Sequence, residues 1–179
     1  LYNAPSPGIM QPLQVTDGII FPYTPQIDTA YRANYSHYDL THSNYRGYFY
    51  QNSYVDGINL RCLFTAQSTN EAEYLQAVIH FLRSATKMFF GQDTLAGNPP
   101  PMVFLNGYGK YYFPNVPCVV SSFSHTLGND VDYISSSNGT RLPTLSQIQV
   151  ILKPVYSRKN VHENFTLQKF ASGQLLGGS

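Results

Sequence analysis

From Val55 onward the chain alternates. Ile58, Leu60, Cys62, Phe64 and Ala66 fall on one side of the alternation and Asn59, Arg61 and Thr65 on the other. This is the two-residue period of a half-buried strand. Directly after it stands Ser68-Thr69-Asn70-Glu71, a capping-box pattern, with either Ser68 or Thr69 as the N-cap. The period then changes: Leu75, Val78, Ile79, Leu82, Ala85, Thr86 and Phe89 recur at three- and four-residue steps until Gly91. That spacing predicts one amphipathic helix over 69–90. After Asn98-Pro99-Pro100-Pro101 the pattern is β again. Met102–Asn106 turns through Gly107-Tyr108-Gly109 into Lys110–Phe113 as a predicted hairpin, and Val116–Thr126 follows as a strand. A polar loop at 135–141 precedes Thr144–Pro154, where Ile148, Val150 and Leu152 alternate with Gln147, Gln149 and Lys153.

The first 55 residues are less regular. Residues 1–17 contain three prolines without periodicity, which predicts an extended arm. Gly18–Phe21 reads as a short strand closed by Pro22 and Pro25, and Ile27–Tyr35 as a second, weakly alternating one. Residues 36–53 are polar and tyrosine-rich, with Tyr48, Phe49 and Tyr50 consecutive; they form a long loop or an extended hairpin. The segment 156–179 is charged at first and then carries Phe165, Leu167, Phe170, Leu175 and Leu176, the spacing of an arm that docks on something. The expected organisation is therefore a mainly β (α+β) domain over 18–156, a β-sandwich or barrel with one flanking helix. An N-terminal arm (1–17) and a C-terminal arm (157–179) flank it.

Composition narrows the function. At 179 residues the chain suits one domain with its own core. Eleven Lys and Arg against ten Asp and Glu leave a net charge of +1, which argues against gripping nucleic acid or anionic lipid mainly by charge. Charged residues are 12% and aromatics 15% of the chain; tyrosine in place of charge suits a surface that is covered by a partner. No apolar run approaches the length of a membrane span, so no membrane insertion is expected. The start at Leu1 without a signal-peptide pattern suggests a processed or partial chain. Cys62 and Cys118 match no metal-binding spacing and read as buried free thiols. Asn-x-Ser/Thr triplets begin at Asn34, Asn138 and Asn164.

Groupings with chemical potential are few. His37, Asp39 and His42 place three metal-ligand types in one stretch, but their spacing matches no common site. His125 with Asp130 or Asp132 is an acid–base candidate, although Leu127-Gly128-Asn129-Asp130 has the composition of a turn whose carboxylates are solvated. Asn106-Gly107-Tyr108-Gly109 lies between strands and lacks the helix start that would hold a phosphate. The aromatics are not interleaved with Lys and Arg as in nucleic-acid binders. No enzyme, metal site or cofactor is expected.

Three stretches carry a family resemblance. They are LRCLFTAQSTNEAEYLQAVIHFLRSATKMFFG at Leu60–Gly91, PPPMVFLNGYGKYYFPNVPCVVSSFSHTL at Pro99–Leu127 and LPTLSQIQVILKPVYSR at Leu142–Arg158. In this order they resemble the tail-tube-type domain of baseplate tube-initiator and tube-cap proteins of contractile-tail bacteriophages. The resemblance implies two packed β-sheets with a helix, assembled as a six-fold ring in the virion after assembly in the host cytoplasm. Such a ring joins the baseplate hub to the tail tube, initiates or caps the tube, and surrounds a channel through which DNA passes without specific binding.

The tyrosine-rich segment 36–56 is the expected contact surface. Tyr45, Tyr48, Phe49, Tyr50 and Tyr54 either form a second core layer within the subunit or anchor an extended hairpin on a neighbouring subunit or the next ring; the second is the expectation. Two rival readings are a carbohydrate-binding or adhesin β-sandwich, with tyrosines stacking on sugars, and a metal hydrolase using His37, Asp39 and His42.

Overall fold

A computed structural model describes residues 1–175. The fold is mainly β. Seven strands, β1 (Gln26–Asp39), β2 (Arg46–Thr65), β3 (Met102–Gly107), β4 (Phe113–Thr126), β5 (Tyr133–Ser135), β6 (Arg141–Pro143) and β7 (Leu145–Pro154), are accompanied by helices α1 (Gln11–Thr16), α2 (Thr69–Ala85), α3 (Arg158–Asn164) and α4 (Leu167–Ala171). Five strands form one antiparallel sheet in the order β1-β2-β7-β4-β3, and β5 and β6 form a two-stranded ribbon. The second sheet of the expectation is thus present only as this ribbon.

The core lies between the sheet and α2. Ile58, Leu60, Cys62 and Phe64 of β2 share it with Ile148, Val150 and Leu152 of β7 and with Cys118 and Val120 of β4. Helix α2 supplies Leu75, Val78, Ile79 and Leu82, the stripe its spacing predicts. Its start is the capping box: the Glu71 N–H donates to Ser68 Oγ at 3.3 Å, and the Glu71 carboxylate accepts from the Gln67 N–H at 2.7 Å. Ser68 is the N-cap. The helix stops at Ala85, not at residue 90. Phe89 leaves the helical pattern because its backbone pairs with Gly97 and Asn98 instead.

Three further expectations need correction. The N-terminal stretch is not an extended arm: a 3-10 turn at Gly8–Met10 leads into α1, which starts with Pro12 in its first turn and buries Leu13 completely. Gly18–Phe21 is not a strand, because the Ile20 N–H donates to the Tyr74 hydroxyl at 2.7 Å and makes no ladder. Lys110–Tyr112 belong to the β3–β4 turn. Tyr108 and Gly109 are both left-handed (φ 56° and 80°), and β4 begins only at Phe113.

The sheet is coiled. The hydroxyl of Tyr108, just past the edge strand β3, donates to the carbonyl of Pro25, just before the opposite edge strand β1, at 3.2 Å. Two diagonal corners of the sheet therefore touch, as happens when a twisted sheet begins to close on itself. The polar loop between β5 and β6 clamps the side of α2, where Asn138 Nδ2 donates to Gln76 Oε1 at 3.2 Å.

Candidate functional site

The tyrosine-rich segment is a hairpin. β1 pairs with β2 along its whole length, from Gln26↔Arg61 to Asp39↔Arg46, whereas β7 pairs with β2 only from Ile58 onward. Residues 31–39 and 46–55 therefore project as a two-stranded ribbon, about 30 Å long at ~3.3 Å per residue. Two register shifts, between Ala30 and Tyr31 and between Asn34 and Tyr35 on β1, leave Asp56 and Gln51 of β2 as extra residues. Gly57, next to the first, has φ 141°, and a Cβ there would meet the Leu152 carbonyl at 3.3 Å. The bulge thus depends on glycine.

Cross-strand partners assign the faces. Tyr35 and Tyr50 are directly opposed, with rings 5.7 Å apart and edge-to-face, and His37 opposes Tyr48 beside them. Tyr38 stacks on Phe49 at 4.9 Å on the other face, its ring lying over Gly47, where a Cβ would clash with it. The Tyr48-Phe49-Tyr50 run is therefore split, Tyr48 and Tyr50 to one side and Phe49 to the other. Tyr45 sits beside the tip, where its N–H donates to Ser43 Oγ, and Tyr54 pairs with Arg32 nearer the base. All five expected contact residues are exposed, from 42% for Tyr54 to 85% for Tyr45. They do not form a second core layer within the subunit. Tyr31 and Tyr35 on the first strand share the face of Tyr48 and Tyr50, and Tyr38 shares that of Phe49; none of the three was among the expected contact residues.

The ribbon's charges are paired along its length. Arg46 Nε meets Asp39 Oδ1 at 2.6 Å near the tip, Arg32 meets Asp56 at 2.8 Å, and Arg61 approaches Asp28 at 3.9 Å near the base. What the ribbon offers outward is mainly tyrosine ring and hydroxyl.

The other candidates do not assemble. Asp39 is taken by Arg46, His42 lies in the hairpin turn with φ 59°, and no group of three metal-ligating side chains comes together among the described residues. His125 faces the core rather than Asp130 or Asp132. Burial, and then the Arg83 guanidinium, lower its pKa from the usual histidine value. Its Nε2 and the Oγ of Ser146 are buried without a hydrogen-bond partner. Cys62 and Cys118 are free and buried, and burial pushes both thiols up to about 11. A cleft of about 520 Å³ between α1 and α2 is lined by Ile9, Pro12, Val15, Glu73, Gln76 and Ser137, and the exposed Ser137 hydroxyl donates to the Glu73 carboxylate there. Comparison of the chain with protein-family models and with curated proteins gives no match.

Proposed function

We propose that the chain is a structural ring subunit of a phage baseplate, joining the central hub to the tail tube, initiating or capping tube assembly and surrounding a DNA channel. The resemblance of three stretches in the chain supplies the family. The projecting ribbon is the observation that carries the assembly role. Aromatic side chains cover both of its faces, while its charges are spent on one another. Exposed apolar surface of this kind marks an interface. A sugar platform gathers a few aromatics on one groove, whereas these spread over two faces, which favours contacts with neighbouring subunits over an adhesin. Negative-stain imaging of the purified protein, alone and with hub and tube proteins, tests the reading. Rings or short tubes are expected. A persistent monomer that binds glycans would replace it with the carbohydrate-binding reading.

A further inference from the structure

The helix-facing side of the sheet continues beyond the helix. Ile27 and Thr29 pair with Leu60 and Ile58 on the buried side, and both extra residues lie on β2, so the alternation along β1 carries the same side onward to Tyr31, Tyr35 and His37. With Tyr50 and Tyr48 opposite the last two, four tyrosines form a row, each more than half exposed. A core face thus runs out into solvent.

A second uncovered surface starts beside it. β7 ends at Pro154 opposite Cys118, the Val155 N–H donates to the Pro117 carbonyl at 2.9 Å, and Tyr156 lies beside Tyr31 and Cys118. From there α3 and α4 leave as an arm with no buried residue. Val161, Phe165, Leu167 and Phe170 are exposed, and the Phe165 and Phe170 rings lie against each other with centroids 6.0 Å apart. Arg158, Lys159 and Lys169 against Glu163 give the arm a net charge of +2, and none of these cations has an ion-pair partner among the described residues.

We propose that the C-terminal arm of one copy lies along the tyrosine row of a neighbouring copy's hairpin. Chemistry, length and placement all point to this occupant. The arm's apolar side chains match the ring surfaces, and its cations suit tyrosine faces, because the ribbon's carboxylates Asp39 and Asp56 are already taken by Arg46 and Arg32. The arm's two helices, α3 and α4, together hold about 18 Å of helix at ~1.5 Å per residue, and the row from Tyr31 to His37 spans about 20 Å at ~3.3 Å per strand residue. In its own subunit the arm leaves the row bare although it is rooted at the row's base, so a second chain completes the surface. The proposal rests on the ring reading: each copy gives one arm and receives one, a head-to-tail contact that closes into a ring.

Full-length Tyr48→Cys and Phe165→Cys proteins, mixed, assembled and oxidised, test it. A two-chain disulfide species is expected in the mixture and not in either protein alone. In parallel, Phe165→Ser/Phe170→Ser is expected to keep the far-UV circular dichroism of the parent and to associate at least about tenfold more weakly by sedimentation. A cross-link within single chains of the Tyr48→Cys/Phe165→Cys double variant, with none in the mixture, overturns the exchange in favour of a self-covering arm. Rings that form without the cross-link, and survive the double serine change, overturn the arm's placement and leave the ring reading standing. Cross-linked chains that build no closed ring keep the placement and overturn the ring reading.

Discussion

His125 lies on the helix-facing side of β4, opposite Ile148, with an unpartnered Nε2 and the Arg83 guanidinium as its charged neighbour. Burial and that cation both disfavour the imidazolium, so the folded-state pKa lies below the unfolded value of about 6.5. The unfolded chain therefore binds more protons as pH falls through the window between the two values. This contribution to stability is complete above about pH 6.5 and is lost below it. Urea midpoints at about pH 5.5 and about pH 7.5 should differ, and His125→Leu should flatten the difference. Ser146 offers a second residue-level check. Its buried Oγ has no partner, so Ser146→Ala should leave thermal stability unchanged or raise it by up to about 1 kcal/mol. A loss larger than that means the hydroxyl is held by something that matters to the fold.

Helix α2 is the element on which the core depends. Ile79 is 6% exposed within its stripe, and Ile79→Ala should cost about 2–4 kcal/mol through lost burial and a cavity. Ser68→Ala should cost about 1 kcal/mol through the lost cap. Denaturant midpoints check both, and an Ile79 effect no larger than that of a surface change would refute the assigned face. This helix, its cap and β7 were legible in the sequence because the periodic residues from Leu75 to Ala85 and from Ile148 to Leu152 are also the buried ones. The helix end was not, since Phe89 keeps the spacing while its backbone turns to Gly97 and Asn98. α1 was hidden for a similar reason. Three prolines obscure a single buried leucine, Leu13, whose burial depends on α2, far away in sequence. The hairpin was half legible. Its strands carry tyrosine on both faces, so no alternation announces them, and the bulges at Gln51 and Asp56 shift what alternation there is. Replacing Tyr48, Phe49 and Tyr50 together with serine should leave circular dichroism native and abolish assembly in sedimentation. Unfolding of that variant would return these residues to the core, despite their exposure.

For the whole molecule, near-neutrality is the property with the clearest functional consequence. On the proposed ring reading the channel must let DNA pass without holding it, and a chain of net charge +1 whose hairpin arginines are paired in cis has few charges there to hold it with. DNA affinity should be weak, indifferent to sequence, and shallow in its salt dependence; tight binding at physiological salt with a steep slope would point to a nucleic-acid-binding protein. Strand order carries another consequence, this time for how the chain is made. β7 is the last strand among the described residues, yet it lies at the centre of the sheet, between β2 and β4. Until it emerges from the ribosome, β1–β2 and β3–β4 are separate hairpins with open edges and no common core. Folding of the sheet therefore waits for β7, and the interval before it arrives is when the nascent chain most needs a chaperone to shield those edges.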